Sequence, residues 1–195
     1  AVVVGSDGSI YVADFANRRV RKVGPDGRIQ TVAGNGREDP WGGISLPALA
    51  ASLKPVDVAL DRDGRLLILD GLKNRVLRLR DGQLLVVARL GEGSEVTGLS
   101  VDGEGRILVA DAGLRRVLAL EESANGFEAA VVAVAGNGSI RASGDGQQAE
   151  NASLYQPSGM SYDDDGNLYL VDRLNHLVRR LLVDGRIERI AILLH

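Results

Sequence analysis

One phrase recurs four times in this chain and constrains its fold more than any other feature. Each copy is a tight turn containing Gly, followed by a short apolar strand that closes on Asp, with a Val six residues later. The copies cover residues 7–14, 63–70, 104–111 and 165–172. The closing residues are Asp14, Asp70, Asp111 and Asp172, and the valines are Val20, Val76, Val117 and Val178. A repeat of this size predicts an array of equivalent structural units.

Each repeat reads as four short strands. In the first repeat we predict strands at residues 2–4, 10–13, 19–23 and 29–33, separated by turns rich in Gly, Asp and Asn. Asp-Gly favours a tight turn because Gly accepts positive φ and Asp can bond its own backbone. Strands such as 66–69 and 130–134 are apolar almost throughout, which indicates sheets covered on both faces. Without a helical period, stacked four-stranded antiparallel sheets predict an all-β propeller, and a two-layer sandwich is the alternative.

The repeats are joined by connections of unequal length. Residues 32–36, Val-Ala-Gly-Asn-Gly, recur at 134–138, each time before a long connection. We therefore predict a single domain over residues 1–195. Its four blades lie roughly at 1–36, 55–91, 96–138 and 157–195, and its two long linkers at 37–54 and 139–156.

The turn after each closing Asp carries a family resemblance. In the last repeat it contains Asn175-His176-Leu177, and the repeat opens with Pro157-Ser158-Gly159. Together with the Ala-Gly-Asn-Gly segments, this pattern resembles the NHL repeat in its bacterial, long-linker form. The resemblance implies a β-propeller, usually of six blades, whereas this chain supplies four. Three arrangements stay open: part of a larger propeller, four blades that close alone, or chains that associate to complete a ring.

Charge and composition narrow the classes of partner. The formal net charge is −3 and the pI is about 5.5, so we predict no nucleic-acid partner without a local basic patch. No apolar run reaches the roughly 20 residues of a membrane helix, and no secretory signal is recognised. The chain has no cysteine, which leaves the compartment open between the cytoplasm and bacterial export.

The candidate binding residues lie on one side of the predicted propeller. Because antiparallel strands reverse direction, the second-to-third turns and the long linkers end on the same side, where binding loops usually lie. Within those turns one position varies between repeats, and each long linker carries an aromatic candidate. The predicted binding residues are Arg18, Trp41, Asn74, Arg115, Tyr155 and His176.

The predicted function is a non-catalytic binding or scaffold module. The four closing Asp residues recur in every repeat, which favours a structural role in the turn over catalysis. The resemblance extends to propellers that are lactonases and an amidating lyase, but His176 and His195 have no metal-ligand spacing here. We predict no metal, cofactor or catalytic residue. The alternatives are a self-associating propeller fragment and a lactonase- or lyase-like enzyme, and the protein or small-molecule partner is unidentified.

Overall fold

The structure, a computed structural model, describes residues 1–38, 45–122, 128–140 and 143–192. Within these ranges the chain forms only β-strands, turns and single-turn 3-10 helices. The strands build four antiparallel sheets, and in each sheet the core of four strands follows chain order. The prediction of an all-β propeller with four-stranded antiparallel blades is confirmed.

The strands have the following bounds. Blade 1 contains β1 (Val2–Val4), β2 (Ile10–Asp14), β3 (Arg19–Val23) and β4 (Ile29–Ala33). Blade 2 contains β5 (Ser45–Pro47), β6 (Pro55–Leu60), β7 (Leu66–Asp70), β8 (Arg75–Arg80) and β9 (Gln83–Arg89). Blade 3 contains β10 (Val96–Val101), β11 (Ile107–Asp111), β12 (Arg116–Glu121) and β13 (Ala130–Ala135). Blade 4 contains β14 (Pro157–Tyr162), β15 (Leu168–Asp172), β16 (Leu177–Leu181) and β17 (Ile187–Ile192).

The first long linker contributes a strand that the sequence pattern does not predict. Strand β5 pairs antiparallel with β9, with Leu46 opposite Leu84 and Pro47 opposite Gln83. A 3-10 turn (Ala48–Ala50) follows, and the backbone N–H of Ala48 donates to the carbonyl of Gly82 at 2.8 Å. Strand β5 is only three residues long and ends in Pro, so its sequence shows no alternating pattern. Within sheets, Pro occurs mainly at edge positions such as this one.

The chain divides into two compact units. Unit 1 comprises Ala1–Leu90 with Glu122–Ala129 and contains blades 1 and 2. Unit 2 comprises Gly91–Glu121 with Ala130–His195 and contains blades 3 and 4.

In each unit one blade packs its face against the next. We call the sheet face that carries the Val of the repeat the leading face, and the opposite sheet face the trailing face. In unit 1 the leading face of blade 1 packs on the trailing face of blade 2, with Ala13 and Val20 in one buried cluster with Leu66 and Ile68. In unit 2 the leading face of blade 3 packs likewise on blade 4, and the cluster there includes Leu108, Val117, Ala135, Leu168 and Ile187. Each Val, Leu or Ile side chain contributes roughly 1.5–3 kcal/mol when it is fully buried.

Candidate functional site

The variable turn position has the same backbone conformation in all four blades. Residues Arg18, Asn74, Arg115 and His176 have φ of 53°, 44°, 57° and 55°. This left-handed conformation lets a short turn return the chain into the third strand. Asn and His tolerate it comparatively well, whereas other L-residues adopt it at a cost of roughly 1–2 kcal/mol.

The closing Asp of blade 2 lies in a buried hydrogen-bond network. Asp70 is fully buried, and its Oδ1 accepts the backbone N–H groups of Lys54 at 2.9 Å and Leu72 at 3.1 Å. Its Oδ2 accepts Nε of Arg75 at 2.8 Å, an ion pair that is itself almost fully buried. Asp14 of blade 1 accepts instead the side-chain amide of Asn17 at 2.9 and 3.0 Å. These carboxylates hold their turns through the bonds they accept.

The closing Asp residues of unit 2 are engaged in the same manner. Asp111 is fully buried, and its Oδ1 accepts the backbone N–H of Glu95 at 3.0 Å. Asp172 accepts the backbone N–H of Tyr155 at 2.7 Å and the side-chain amide of Asn175 at 2.8 Å. Burial raises the pKa of Asp172, and these hydrogen bonds act in the opposite direction.

Two predicted binding residues meet in unit 2. The guanidinium carbon of Arg115 lies 5.8 Å from the centroid of the Tyr155 ring, within reach of a cation–π interaction. The Nη1 of Arg115 donates to the carbonyl of Gly138 at 3.2 Å. Among the described atoms, its buried Nε has no hydrogen-bond partner. The arginine side chain therefore rests on the second long linker.

Tyr155 also connects to the turn that carries His176. The backbone N–H of Leu174 donates to the carbonyl of Tyr155 at 3.0 Å, and the N–H of His176 donates to the carbonyl of Arg173 at 3.1 Å. Contacts of Tyr155 thus connect the linker to the turn of blade 3 and to the turn of blade 4. We call Arg115, Tyr155 and His176 the unit 2 linker site.

Arg18 and Asn74, the predicted residues of unit 1 that the structure describes, have different partners. Arg18 forms an ion pair with Glu38 at the start of the first linker. The backbone carbonyl of Asn74 accepts a hydrogen bond from the backbone N–H of Leu90 at 2.8 Å. Trp41 lies outside the residues that the structure describes.

Sequence reasoning missed one cation–π pair on the linker side of unit 1. The ammonium of Lys54 lies 4.7 Å from the centroid of the Phe15 ring, which is 47% exposed. Phe15 directly follows the closing Asp14, and this position in the second-to-third turn could have placed it on the linker side from the sequence alone.

A cavity of about 510 Å³ lies in unit 2 at the opposite ends of the strands, among the first-to-second and third-to-fourth turns. Its lining includes Asp102, Arg106, Tyr162, Leu168 and Leu181. Burial, and then the charge of Asp102, raise the pKa of Tyr162 to about 12, while Arg106 acts against the shift. Sequence reasoning did not find this cavity, because turns of two different blades form it.

Two kinds of feature are absent from the residues that the structure describes. In the described part of the chain, no three His, Cys, Asp or Glu side chains converge in a way that could hold a metal ion. Over the same part of the chain, no helix is long and apolar enough to span a membrane.

Known proteins resemble this chain at two levels. Residues 154–181 match the NHL repeat model. Teneurin-1 of Caenorhabditis elegans is 33% identical over 152 residues, which are 71% of this chain and 5% of that protein. The chain therefore spans only a small fraction of this relative's length.

Solved structures show the fold. A catalytically inactive virginiamycin B lyase from Staphylococcus aureus, with quinupristin, aligns with a TM-score of 0.69 and 15% identity, covering 100% of this chain and 55% of that one. An auxiliary nutrient binding protein from Bacteroides thetaiotaomicron aligns with a TM-score of 0.75 and 13% identity, covering 97% and 46%. This chain thus spans about half of each structure. One segment of the chain thus matches the NHL repeat, and its four blades have the β-propeller fold.

Proposed function

We propose that this chain is a non-catalytic binding module that contacts a protein partner through the linker side of its blades. In unit 2 the contact is made by the unit 2 linker site. The contact between Arg115 and Tyr155 carries the proposal, because it joins a variable turn residue to a linker aromatic. Tyr and Arg are enriched in protein interfaces and among the residues that dominate their binding energy.

The backbone of the variable turn position supports a role for its side chain. A position that served the turn alone would favour Gly or Asn, since the left-handed conformation disfavours most other residues. Blades 1 and 3 nevertheless have arginine there, at Arg18 and Arg115. Arg115 uses its side chain to contact Gly138 and Tyr155. The side chain, rather than the backbone, accounts for arginine at this position.

The chemistry of the site favours an acidic segment of the partner. Arg115 presents a planar guanidinium, and Arg173 lies on the neighbouring turn with its Nη1 bonded to Gln156 at 3.1 Å. Guanidinium groups bind carboxylates with paired, charge-assisted hydrogen bonds. Leu174, 38% exposed on the same turn, adds apolar surface. A segment that carries Asp or Glu beside an apolar residue matches these groups.

The fold alone does not select between binding and catalysis. The similar solved structures include one described as a nutrient binding protein and one described as a lyase. Function therefore depends on the residues grafted onto the blades. The preference for a binding module over a lactonase- or lyase-like enzyme stays a prediction, as does the assignment to the bacterial long-linker form.

Selection of peptides on the protein tests the binding site. Peptides are selected from a random display library on the immobilised wild-type chain, and their affinities are measured by titration calorimetry. We expect acidic peptides whose affinity falls at least about tenfold in Arg115→Glu and in Tyr155→Ala, because losing about 1.4 kcal/mol lowers affinity tenfold.

Arg186→Glu is the matched control. It reverses one exposed charge in the same unit, at the opposite ends of the blade 4 strands, and should leave these affinities unchanged. Selected peptides that bind both site variants as tightly as the wild type would refute the proposed surface.

A further inference from the structure

Blade 1 has an exposed apolar sheet face. Val2, Val4, Ile10 and Ile29 are 61%, 62%, 37% and 58% exposed. They belong to the trailing face, because successive side chains of a strand point to opposite sides and Ala13 faces blade 2. Exposed apolar side chains gathered on one sheet face, here together with Arg21, mark an interaction surface.

The position of Ile10 is buried in each of the other blades. Where blade 1 has Ile10, the other blades have Leu66, Ile107 and Leu168, which are 3%, 1% and 1% exposed. In unit 1 the leading face of blade 1 covers Leu66, and in unit 2 the leading face of blade 3 covers Leu168. The trailing face of a blade is therefore built to receive the leading face of another.

Blade 4 has the complementary exposed surface. A Val on the third strand pairs with an Ala on the fourth strand in every blade: Val20 with Ala33, Val76 with Ala88, Val117 with Ala135, and Val178 with Ala191. In the first three pairs both residues are fully buried. Val178 is only partly buried and Ala191 is exposed. The leading face of blade 4 thus lacks the cover that the same residue pair has in the other blades.

We infer that the leading face of blade 4 packs on the trailing face of blade 1 of a second copy of this chain. The interface repeats the one that joins blade 1 to blade 2 in unit 1 and blade 3 to blade 4 in unit 2. Its halves differ, so the contact is head-to-tail. Since the chain covers only 55% and 46% of two propellers of this fold, two copies supply about the length of one of them.

Light scattering over a range of concentrations tests the interface. The wild-type chain should have twice the 20.6 kDa mass of one copy at high concentration and dissociate on dilution. Ala191→Arg and Ile29→Arg each place a charge in one half of the interface and should leave only single copies. Both positions are exposed in the single chain, so each variant should keep the far-ultraviolet circular dichroism of the wild type. Leu49→Arg, at an exposed apolar residue of the first linker, is the control and should still form the pair.

Mixing the two interface variants tests the head-to-tail order. The Ile29→Arg copy keeps an intact blade 4 and the Ala191→Arg copy keeps an intact blade 1, so the mixture should regain the doubled mass. A wild-type chain that stays single at every concentration, or a pair that survives both variants, would overturn the inference. Neither result affects the peptide-binding test, because the unit 2 linker site uses other residues.

Discussion

At the scale of the residue, the backbone at four turn positions is more uniform than their side chains. Arg18, Asn74, Arg115 and His176 share one left-handed conformation. The turn requires the conformation, and at Arg18 and Arg115 the side chain makes contacts beyond its own turn. Arg18 illustrates this, because its side chain pairs with Glu38 across the first linker while its backbone remains strained.

Substitution of Arg18 should separate backbone strain from the ion pair. Arg18→Val puts a β-branched residue at φ 53°, where it crowds the backbone more than the unbranched Arg side chain does, and should lower the free energy of unfolding by about 1 kcal/mol. Arg18→Gly, which adopts this φ freely, should change it by about 0.5 kcal/mol or less. Urea unfolding measures both. Glu38→Gln removes the exposed ion pair alone and should have little effect. Equal losses in the Val and Gly variants would contradict a backbone origin.

At the scale of the element, the two Ala-Gly-Asn-Gly segments bind the two linkers in the same way. In unit 1 the Gly34 N–H donates to Ala48 and the Asn35 N–H to Ala51, each at 2.8 Å. In unit 2 the N–H groups of residues 136 and 137 make the same bonds, at 2.9 and 2.8 Å, to a second 3-10 turn (Ala149–Asn151) and to residue 152. The repeated motif is thus a cradle that anchors a linker to the end of a fourth strand.

Two glycines of unit 2 should respond differently to the same substitution. Gly136 has φ 91°, and a Cβ there would overlap the carbonyl oxygen of Arg115, which is rigid backbone. Gly146 has φ 77° with open space around it. Gly136→Ala should lower the free energy of unfolding by about 3 kcal/mol or more, and Gly146→Ala by about 1 kcal/mol. Chemical denaturation compares the two, and equal losses would show that φ alone matters at Gly136.

At the scale of the whole molecule, turn carboxylates couple stability to pH. Hydrogen bonds lower the pKa of three turn carboxylates. The main donor to Asp7 is the backbone N–H of Ser9. The main donor to Asp163 is the side chain of Asn167, and the main donor to Asp184 is the side chain of Arg186. The pKa of each group is lower in the folded than in the unfolded protein. Each group therefore stabilises the fold at pH values above its unfolded-state pKa, and this contribution is lost as pH falls through its folded-state pKa. Asp172, whose pKa is raised by burial, acts oppositely: its contribution falls as pH rises between the two values.

Thermal unfolding should therefore become easier on acidification below about pH 4. Asp163→Asn keeps an oxygen that can accept the backbone N–H groups of Asp165 and Asn167 but cannot titrate, so it should flatten this acid dependence. Asn167→Ala removes the leading cause of the lowered pKa and should flatten it as well. Melting temperatures from pH 2 to pH 6 measure the slope, and an unchanged slope in both variants would contradict the assignment.

Much of the fold could be predicted from local signals, and so could the residues proposed for the candidate site, but the contacts between those residues could not. In blade 1 the predicted strands match the observed ones, except that β2 extends one residue further, to Asp14. Strand β5 escaped prediction because Pro47 and its short length erase the alternating pattern. Arg115 and Tyr155 are 40 positions apart in the sequence, and no local sequence pattern predicts their contact. The left-handed φ at Arg18 and Arg115 was not predicted, because arginine is not one of the residues that commonly adopt it.

Strand β5 has a consequence for the behaviour of blade 2 in crowded solution. An outermost strand normally presents unbonded N–H and C=O groups that can recruit a strand from a foreign chain and begin fibre growth. By pairing with β9 from Leu85 to Gln83, β5 occupies part of this docking edge with a segment of the same chain. Its last residue, Pro47, has no N–H to offer in turn. The first linker thus blocks part of the edge of blade 2 at which strands of other chains could add.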